Sequence, residues 1–188
     1  VSGYSNEWDF WVYPSVLAMP NTDGNSMAGS DIYVCDSLDD RALGVLAKGG
    51  KVLVEAAGKV TYGSDVKQTY PPVFWNTSWF KMRPPHTTGS YIQSDHPVFA
   101  LFPTDSWQNL NWWELVNKAQ VMNLTEFPQS CRPPFQPIDT WHVSRRLGMI
   151  VEARVGGGKL LMTTFDISSN LDRRVVARQL RKSILAYM

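Results

Sequence analysis

The segment that most constrains this chain is residues 150–166 (IVEARVGGGKLLMTTFD), in which two apolar stretches flank three consecutive glycines. Glycine readily takes the positive φ that a tight connection needs, so the segment predicts a β-hairpin that turns at residues 156–158. Apolar side chains stand at consecutive positions in residues 160–162, and this loss of alternation is typical of a strand buried on both faces. We therefore expect a central sheet covered by helices, with Asp166 at the strand end helping to start the last helix.

A strand–helix–strand pattern earlier in the chain indicates the same architecture. Residues 31–35 (DIYVC) and 51–56 (KVLVEA) predict two strands. Between them, Ser37 is placed to cap a helix with Asp40 three residues later, and Gly49 is placed to end it. Because such a connection favours parallel strands, the sequence predicts an α/β fold with a mostly parallel central sheet and a C-terminal β-hairpin plus helix.

The last helix is predicted to begin at Asn170 and to run to the C-terminus. It has an apolar stripe made by Leu171, Val175, Leu180 and Ile184. Its basic residues fall mostly on the other side and are Arg173, Arg174, Arg178, Arg181 and Lys182. A charge run on an amphipathic helix is usually a solvated face, so we expect these side chains to lie in water.

The remaining segments carry weaker patterns. Residues 8–14 (WDFWVYP) and 137–143 (PIDTWHV) each predict a strand. Residues 111–119 predict a helix, and residues 120–124 predict a short strand. Prolines and tryptophans are interspersed through residues 59–137, which predicts long loops packed over an edge of the sheet.

Length, charge and composition narrow the class of protein. The chain has 188 residues, 44% of them hydrophobic, and we expect one domain over residues 1–188. Its 18 basic and 17 acidic side chains leave a net charge of +1, which favours no nucleic-acid partner. No apolar run reaches the roughly 18 residues of a membrane span, so we expect no membrane insertion. Because the chain starts at Val1 rather than Met, we expect it to be an excised piece of a longer protein.

Neither a metal nor a cofactor is predicted. Cys35 and Cys131 lack a C-x-x-C or Cys/His spacing, which argues against zinc, and we expect Cys35 to be a free buried thiol. The glycines at 156–158 precede a strand, whereas a phosphate-binding loop leads into a helix.

Two catalytic arrangements can be drawn, and both are disfavoured. Cys35, His142 and Asp139 could form a triad, but Cys35 lacks the flanking glycines of a nucleophile elbow and the adjacent Asp36 opposes thiolate formation. A hydrolytic carboxylate pair could come from the acids at or near strand ends, which are Asp36, Glu55, Asp139 and Asp166. Such acids commonly cap the following helix, which is the role we expect for Asp36 and Asp166.

Tryptophans suggest a third kind of site. Indole rings stack on the C–H faces of sugars, so exposed tryptophans near polar side chains could form a carbohydrate-binding platform. The candidates are Trp75, Trp79, Trp107, Trp112, Trp113 and Trp141. Alternatively, these rings fill space beneath long loops or against a neighbouring domain, and we expect this role for most of them. Any functional surface is expected between Phe74 and Trp113.

An ordered set of motifs over nearly the whole chain resembles a known domain type. This type is the amidotransferase-like domain at the C-terminal end of some glycoside hydrolase family 2 proteins, β-galactosidase-like enzymes of Bacteroidetes. The motifs are WVYP at 11–14, IYVCDSLDDRAL at 32–43, GGKVLV at 49–54, HPVFALFPT at 96–104, WHVSRRLGMIVEARVGGGKLL at 141–161 and LDRRVVARQLRKSILAYM at 171–188.

The resemblance implies a three-layer flavodoxin-like domain related in fold to class I glutamine amidotransferases. It also implies a periplasmic or secreted parent enzyme whose catalytic carboxylates lie in a separate (β/α)8 barrel, which needs roughly 250 residues. Fold kinship carries no activity by itself, and no catalytic residue can be transferred to this chain. We therefore expect a non-catalytic accessory domain that serves domain packing, oligomerisation or substrate-loop placement. Its partners would be other domains of the same polypeptide, a second copy or carbohydrate. A carbohydrate-binding module and a cysteine-dependent hydrolase are the alternatives.

Overall fold

The computed structural model describes residues 3–14, 31–62, 66, 68, 70, 87–141 and 143–188. The strands are β1 (Ile32–Cys35), β2 (Lys51–Glu55), β3 (Ser90–Ile92), β4 (Met122–Asn123), β5 (Phe135–Pro137), β6 (Leu147–Gly148), β7 (Ile150–Val155) and β8 (Gly158–Thr163). The helices are α1 (Asp40–Ala47), α2 (Trp113–Val116) and α3 (Val175–Tyr187), with single 3₁₀ turns at Pro97–Phe99 and Leu110–Trp112. The architecture is therefore mixed α/β, as predicted, with a C-terminal hairpin and helix.

The main sheet is parallel in one half and antiparallel in the other. Its strand order is β1-β2-β8-β7-β5-β3, and β4 pairs with β6 in a separate two-stranded sheet. The β1–β2 and β2–β8 pairings are parallel. The β8–β7, β7–β5 and β5–β3 pairings are antiparallel. The prediction of a mostly parallel sheet thus holds only for the half formed by β1, β2 and β8, because the hairpin reverses the chain direction.

Helices cover both faces of β2 and β8. Alternate residues of these strands point to opposite sides, and one cluster joins Ala42 and Leu46 of α1 to Val52, Val54 and Leu160. On the other face, Leu53 and Leu161 belong to the cluster that contains Ala177, Leu180 and Ile184 of α3. The prediction that the strand after the glycines is buried on both faces is therefore confirmed.

The three glycines of the hairpin have different roles. Val155 pairs with Gly158, so Gly156 and Gly157 form a two-residue turn, in which Gly156 has a φ of +62°. Gly158 is instead the first residue of β8 and lies against α1. A Cβ there would stand 2.6 Å from the Gly50 carbonyl oxygen and 2.8 Å from Leu46 Cα. The expectation of a turn is confirmed, but the third glycine is required by close packing rather than by a positive φ.

The helix caps differ from those predicted. Asp39, rather than Ser37 or Asp36, caps α1, since its carboxylate accepts a hydrogen bond from the Ala42 N–H at 2.7 Å. Gly49 follows the end of α1 with a φ of +82°, as expected of a stop signal. Asp166 accepts hydrogen bonds from the Ser168 and Ser169 N–H groups, so it starts a local turn well before α3 begins at Val175.

The arginines of the last helix do not all lie in water. Arg181 is only 6% exposed and forms an ion pair with Glu55 of β2. Arg174, the residue before α3, pairs with both Glu114 and Asp166. Arg173 remains exposed, as predicted for the whole run. The prediction of a solvated basic face is therefore wrong for Arg174 and Arg181, which connect α3 to the end of the sheet.

Several weaker predictions also need correction. Residues 8–14 form no strand, and among the described residues of the predicted strand at 137–143, only Pro137 lies in a strand, β5. The helix expected at 111–119 is reduced to a 3₁₀ turn followed by the short α2, and the strand expected at 120–124 is the two-residue β4. Among the described residues, no helix has the length and apolar character to cross a membrane.

We predict that Gly158→Ala destabilises the domain by about 1–3 kcal/mol, because the new methyl group would overlap backbone atoms of α1 and of Gly50. Urea unfolding followed by circular dichroism would measure the change. Gly44→Ala is the matched control, since Gly44 lies within α1 with no neighbour within 4 Å of the added Cβ. It should raise the stability by up to about 1 kcal/mol. Equal stability of Gly158→Ala and the wild type would contradict the packing argument.

Candidate functional site

A cleft of about 890 Å³ lies at the carboxyl ends of β1, β2 and β8. Ligands of open α/β sheets usually bind at this edge, because the loops that follow the strands converge there. The β1–α1 loop, the end of β2, the loop after β8 and α2 supply its acidic side chains, which are Asp36, Asp39, Glu55, Glu114 and Asp166. The basic residues of its lining are Lys59, Lys118 and Arg174. We call this site the carboxyl-edge cleft.

Two strand-end acids of the cleft are joined to cations. Asp36 pairs with Lys59 at the surface, and this hydrogen bond and charge lower the pKa of Asp36. Glu55 pairs with the buried Arg181, whose guanidinium also donates to the Ile167 carbonyl at 3.2 Å. Burial raises the pKa of Glu55, and the charge of Arg181 opposes that rise. Neither carboxylate is left without a partner.

Asp166 and Glu114 share Arg174. The Arg174 Nη1 atom lies 2.9 Å from Asp166 Oδ2, and its Nε donates to Glu114. Burial acts to raise the pKa of Asp166, but hydrogen bonds from Ser169 and Ser168 and the charge of Arg174 outweigh it, so the pKa is lowered. Asp166 is therefore held as a carboxylate that accepts bonds from within the domain.

Cys35 lies in this cleft and is a free thiol. Cys131 is also a free thiol, but it does not line the cleft. Burial and the nearby carboxylates, chiefly Asp39, raise the pKa of Cys35 to about 11. Its Sγ approaches the Leu53 carbonyl oxygen at 3.8 Å. A nucleophilic cysteine needs a lowered pKa and a cationic neighbour, and Cys35 has the opposite environment.

The triad drawn from the sequence does not assemble around Cys35. Asp139 follows β5, four strand positions from β1 in the sheet, which corresponds to about 19 Å. Its carboxylate accepts hydrogen bonds from the Thr140 N–H and from Arg145. Asp139 therefore shapes its own loop, and it is also too distant to form a carboxylate pair with Asp36. His142 lies outside the described residues.

Trp112 belongs to the core. It is fully buried and contacts the rings of Phe102, Phe135 and Phe165, with centroid separations of 4.7, 4.6 and 5.5 Å. Its indole Nε1–H donates to Thr104 Oγ1 at 2.8 Å. This burial removes Trp112 from the predicted carbohydrate-binding set and gives it the space-filling role.

The other described tryptophans of that set are exposed at the surface. Trp107 is 59% exposed and makes an edge contact with Tyr91 of β3, with 5.6 Å between ring centroids. Trp113 is 51% exposed and lines a separate cleft of about 300 Å³ with Phe10 and Trp11. Trp141 lies exposed in the loop after Asp139. Trp75 and Trp79 lie outside the described residues.

A hydrogen-bonded cluster of His96, Glu152 and Tyr187 was not predicted from the sequence. His96 Nε2 lies 2.8 Å from Glu152 Oε1, and the Tyr187 hydroxyl donates to the other oxygen of Glu152 at 2.6 Å. His96 Nδ1 accepts a hydrogen bond from the Val98 N–H, so the neutral ring carries its proton on Nε2. Burial and Glu152 raise the pKa of Tyr187 to about 12. The partners are 35 and 56 residues apart in the chain, so no local motif reveals them.

Metal-binding geometry is missing from the described part of the chain. There, no three His, Cys, Asp or Glu side chains converge in a group that could hold a metal ion. Of the acids of the carboxyl-edge cleft, Asp36, Glu55, Glu114 and Asp166 are paired with Lys59, Arg181 and Arg174 instead.

A family model matches residues 33–188, from within β1 to the end of the chain. The chain belongs to the family described as Domain of unknown function (DUF8487). The carboxyl-edge cleft and both helices that cover the sheet lie within the matched region of this DUF8487 protein. No curated protein matches the chain.

We predict that Cys35 reacts slowly with iodoacetamide in the folded protein. In a Cys131→Ser variant, labelling at neutral pH should be about two orders of magnitude slower than in the same variant unfolded in urea, where a cysteine has a pKa of about 8.5. Only the thiolate reacts, and burial together with neighbouring acids raises the pKa of Cys35 to about 11. The labelling rate should therefore climb as the pH approaches that value. Mass spectrometry would follow the labelling, and equal rates in the two states at neutral pH would contradict the assignment.

Proposed function

We propose that this DUF8487 domain is a non-catalytic accessory domain of a larger, exported glycoside hydrolase related to family 2. The parent enzyme would hydrolyse O-glycosidic bonds, and its catalytic carboxylates would lie in another domain. We also propose a flavodoxin-like relationship for the fold. The parallel β1-β2-β8 unit with α1 on one face and α3 on the other supports it.

The observation that carries this proposal is that the groups best placed for hydrolysis are committed to bonds within the domain. Glu55 is bonded to Arg181, Asp166 to Arg174, and Asp36 to Lys59. A general acid or base must exchange a proton with a substrate, so a carboxylate held by a guanidinium is poorly suited to either role. Cys35, with its raised pKa, is equally unsuited as a nucleophile.

Exposed apolar side chains at the β3 side of the sheet support a packing role. Tyr91 alternates with the buried Ser90 and Ile92, so it lies on the outer face, where it contacts Trp107. Ile138, at the end of the neighbouring strand β5, is also exposed. In this proposal these side chains are covered by another domain of the same polypeptide or by a second copy of the chain.

We expect the purified domain to hydrolyse neither nitrophenyl β-galactoside nor related nitrophenyl glycosides above the buffer rate, measured as nitrophenol release. The double variant Glu55→Gln, Asp166→Asn serves as the control for a contaminating enzyme, because a contaminant would act equally in both preparations. Hydrolysis by the wild-type domain that disappears in the double variant would contradict the non-catalytic proposal.

Carbohydrate binding is the second candidate function, and the small cleft beside Trp113 favours it. Phe10, Trp11 and Trp113 line this cleft together with the polar side chains of Asp9, Asn111 and Glu114. Aromatic faces beside carboxylate and amide groups suit the C–H faces and hydroxyl groups of a sugar. Trp11 and Phe10 were not among the residues predicted for this role.

If this cleft binds sugar, titration with galactosides or plant polysaccharides should produce a saturable change in tryptophan fluorescence. The change should be lost in Trp113→Ala and retained in Trp8→Ala, because Trp8 is exposed but does not line the cleft. No change up to millimolar ligand would reject sugar binding and favour coverage by another protein surface.

A further inference from the structure

A third cleft, of about 540 Å³, lies at the amino ends of β2 and β8, beside Tyr187 at the end of α3. Its lining includes Lys51, Arg154 and Lys159, and we call it the amino-edge cleft. We propose that the amino-edge cleft binds a small molecule through oxyanion groups, such as carboxylates or phosphates. Such binding would not depend on whether the parent protein is a glycoside hydrolase.

Three basic side chains form a row across neighbouring strands. Lys51 of β2 is the parallel partner of Lys159 of β8, and Arg154 of β7 is the antiparallel partner of the same lysine. Residues paired in register lie on the same face of a sheet, and neighbouring strands are about 4.8 Å apart. Like charges placed directly opposite each other destabilise a sheet, so this row lowers the stability of the domain.

The two ends of this row have no partner among the described residues. Lys51 and Arg154 make neither an ion pair nor a side-chain hydrogen bond within that part of the chain. Glu152 also lines the cleft, but its oxygens accept hydrogen bonds from His96 and from the Tyr187 hydroxyl. Three cations of the lining therefore share one carboxylate whose oxygens are already bonded.

Lys159, in the middle of the row, is held by the end of α3. Its ammonium group donates to the Tyr187 carbonyl at 3.1 Å and lies 3.3 Å from the centroid of the Tyr187 ring. Burial lowers the pKa of Lys159, and the charges of Lys51 and Arg154 lower it further, whereas Glu152 acts to raise it. Contact with a helix C-terminus thus explains Lys159, but it does not explain the other two cations.

An anion bound in the cleft would offset the repulsion within this row. An oxyanion group can contact cations at neighbouring positions, and the guanidinium of Arg154 can hold a carboxylate or phosphate through two parallel hydrogen bonds. Gly49 and Gly157 also line the cleft, and neither has a side chain that would obstruct a ligand. The volume of about 540 Å³ lies within the range of small-molecule sites.

The experiment compares galacturonate with galactose, in which a hydroxymethyl group replaces the carboxylate. In titrations followed by ¹H–¹⁵N NMR at neutral pH and constant low ionic strength, galacturonate should shift the backbone amide signals of Lys51, Arg154 and Lys159 in a saturable manner. Galactose at the same concentration should not.

A parallel titration with inorganic phosphate identifies the kind of oxyanion. Tighter binding of phosphate than of galacturonate would assign the site to phosphate compounds, and the reverse would assign it to carboxylates. The absence of a saturable shift with either anion, or equal shifts with galactose, would overturn the proposal.

Two substitutions separate a ligand-binding role from a structural one. Lys51→Gln and Arg154→Gln should each weaken binding of the tighter anion about fivefold, which is the loss expected for one partly exposed charge pair. Because each removes a like charge from the row, both should also raise the urea midpoint of the ligand-free domain. Lys118→Gln removes an exposed charge in the carboxyl-edge cleft and should leave the affinity unchanged. Unchanged affinity in both amino-edge variants, or a loss of stability in both, would overturn the proposal.

Discussion

The architecture depends on the burial of β8 between two helices. β8 pairs with β2 in parallel and with β7 in antiparallel orientation, so it joins the two halves of the sheet. Leu160 packs toward α1 and Leu161 toward α3. Burying each such side chain contributes roughly 1.5–3 kcal/mol, and both faces of one strand contribute here. The close approach of α1 to the start of β8 leaves no space for a side chain at Gly158.

One buried and one partly exposed ion pair connect this scaffold to its polar edge. Arg181 extends from α3 to Glu55 at the end of β2, and Arg174 joins the start of α3 to Asp166 after β8. Removing one partner of the buried Glu55–Arg181 pair would leave an uncompensated charge, which costs about 3–5 kcal/mol. The Asp166–Arg174 pair contributes less, because 42% of the Asp166 side chain is exposed and water screens the charges. These pairs therefore hold the helix against the sheet and also occupy the acids that a hydrolytic mechanism would need.

The tryptophans divide by environment rather than by sequence neighbourhood. Trp112 and Trp113 are adjacent in the chain, yet Trp112 is buried among phenylalanines and Trp113 is half exposed beside Trp11. At this point the chain passes from a 3₁₀ turn into α2, so successive side chains point in different directions. A tryptophan-rich segment can thus contribute rings to both the core and the surface. Its composition does not indicate which rings are buried and which are exposed. The packing proposal relies on Trp107 and Tyr91, whereas the sugar-binding alternative relies on Trp113.

The sequence by itself determined the elements whose signal is local. Apolar periodicity and glycine positions predicted β1, α1, β2, the β7–β8 hairpin and the C-terminal helix, because main-chain conformation there follows from neighbouring residues. The low reactivity expected of Cys35 was also a local inference, drawn from the adjacent Asp36. Only the tertiary structure decided which charges are paired, since Glu55 and Arg181 are 126 residues apart. It likewise decided the antiparallel half of the sheet, the pairing of His96 with Glu152 and the carboxyl-edge cleft. Those features arise from long-range contacts whose energies depend on burial and distance, and a linear pattern of residue types contains neither quantity.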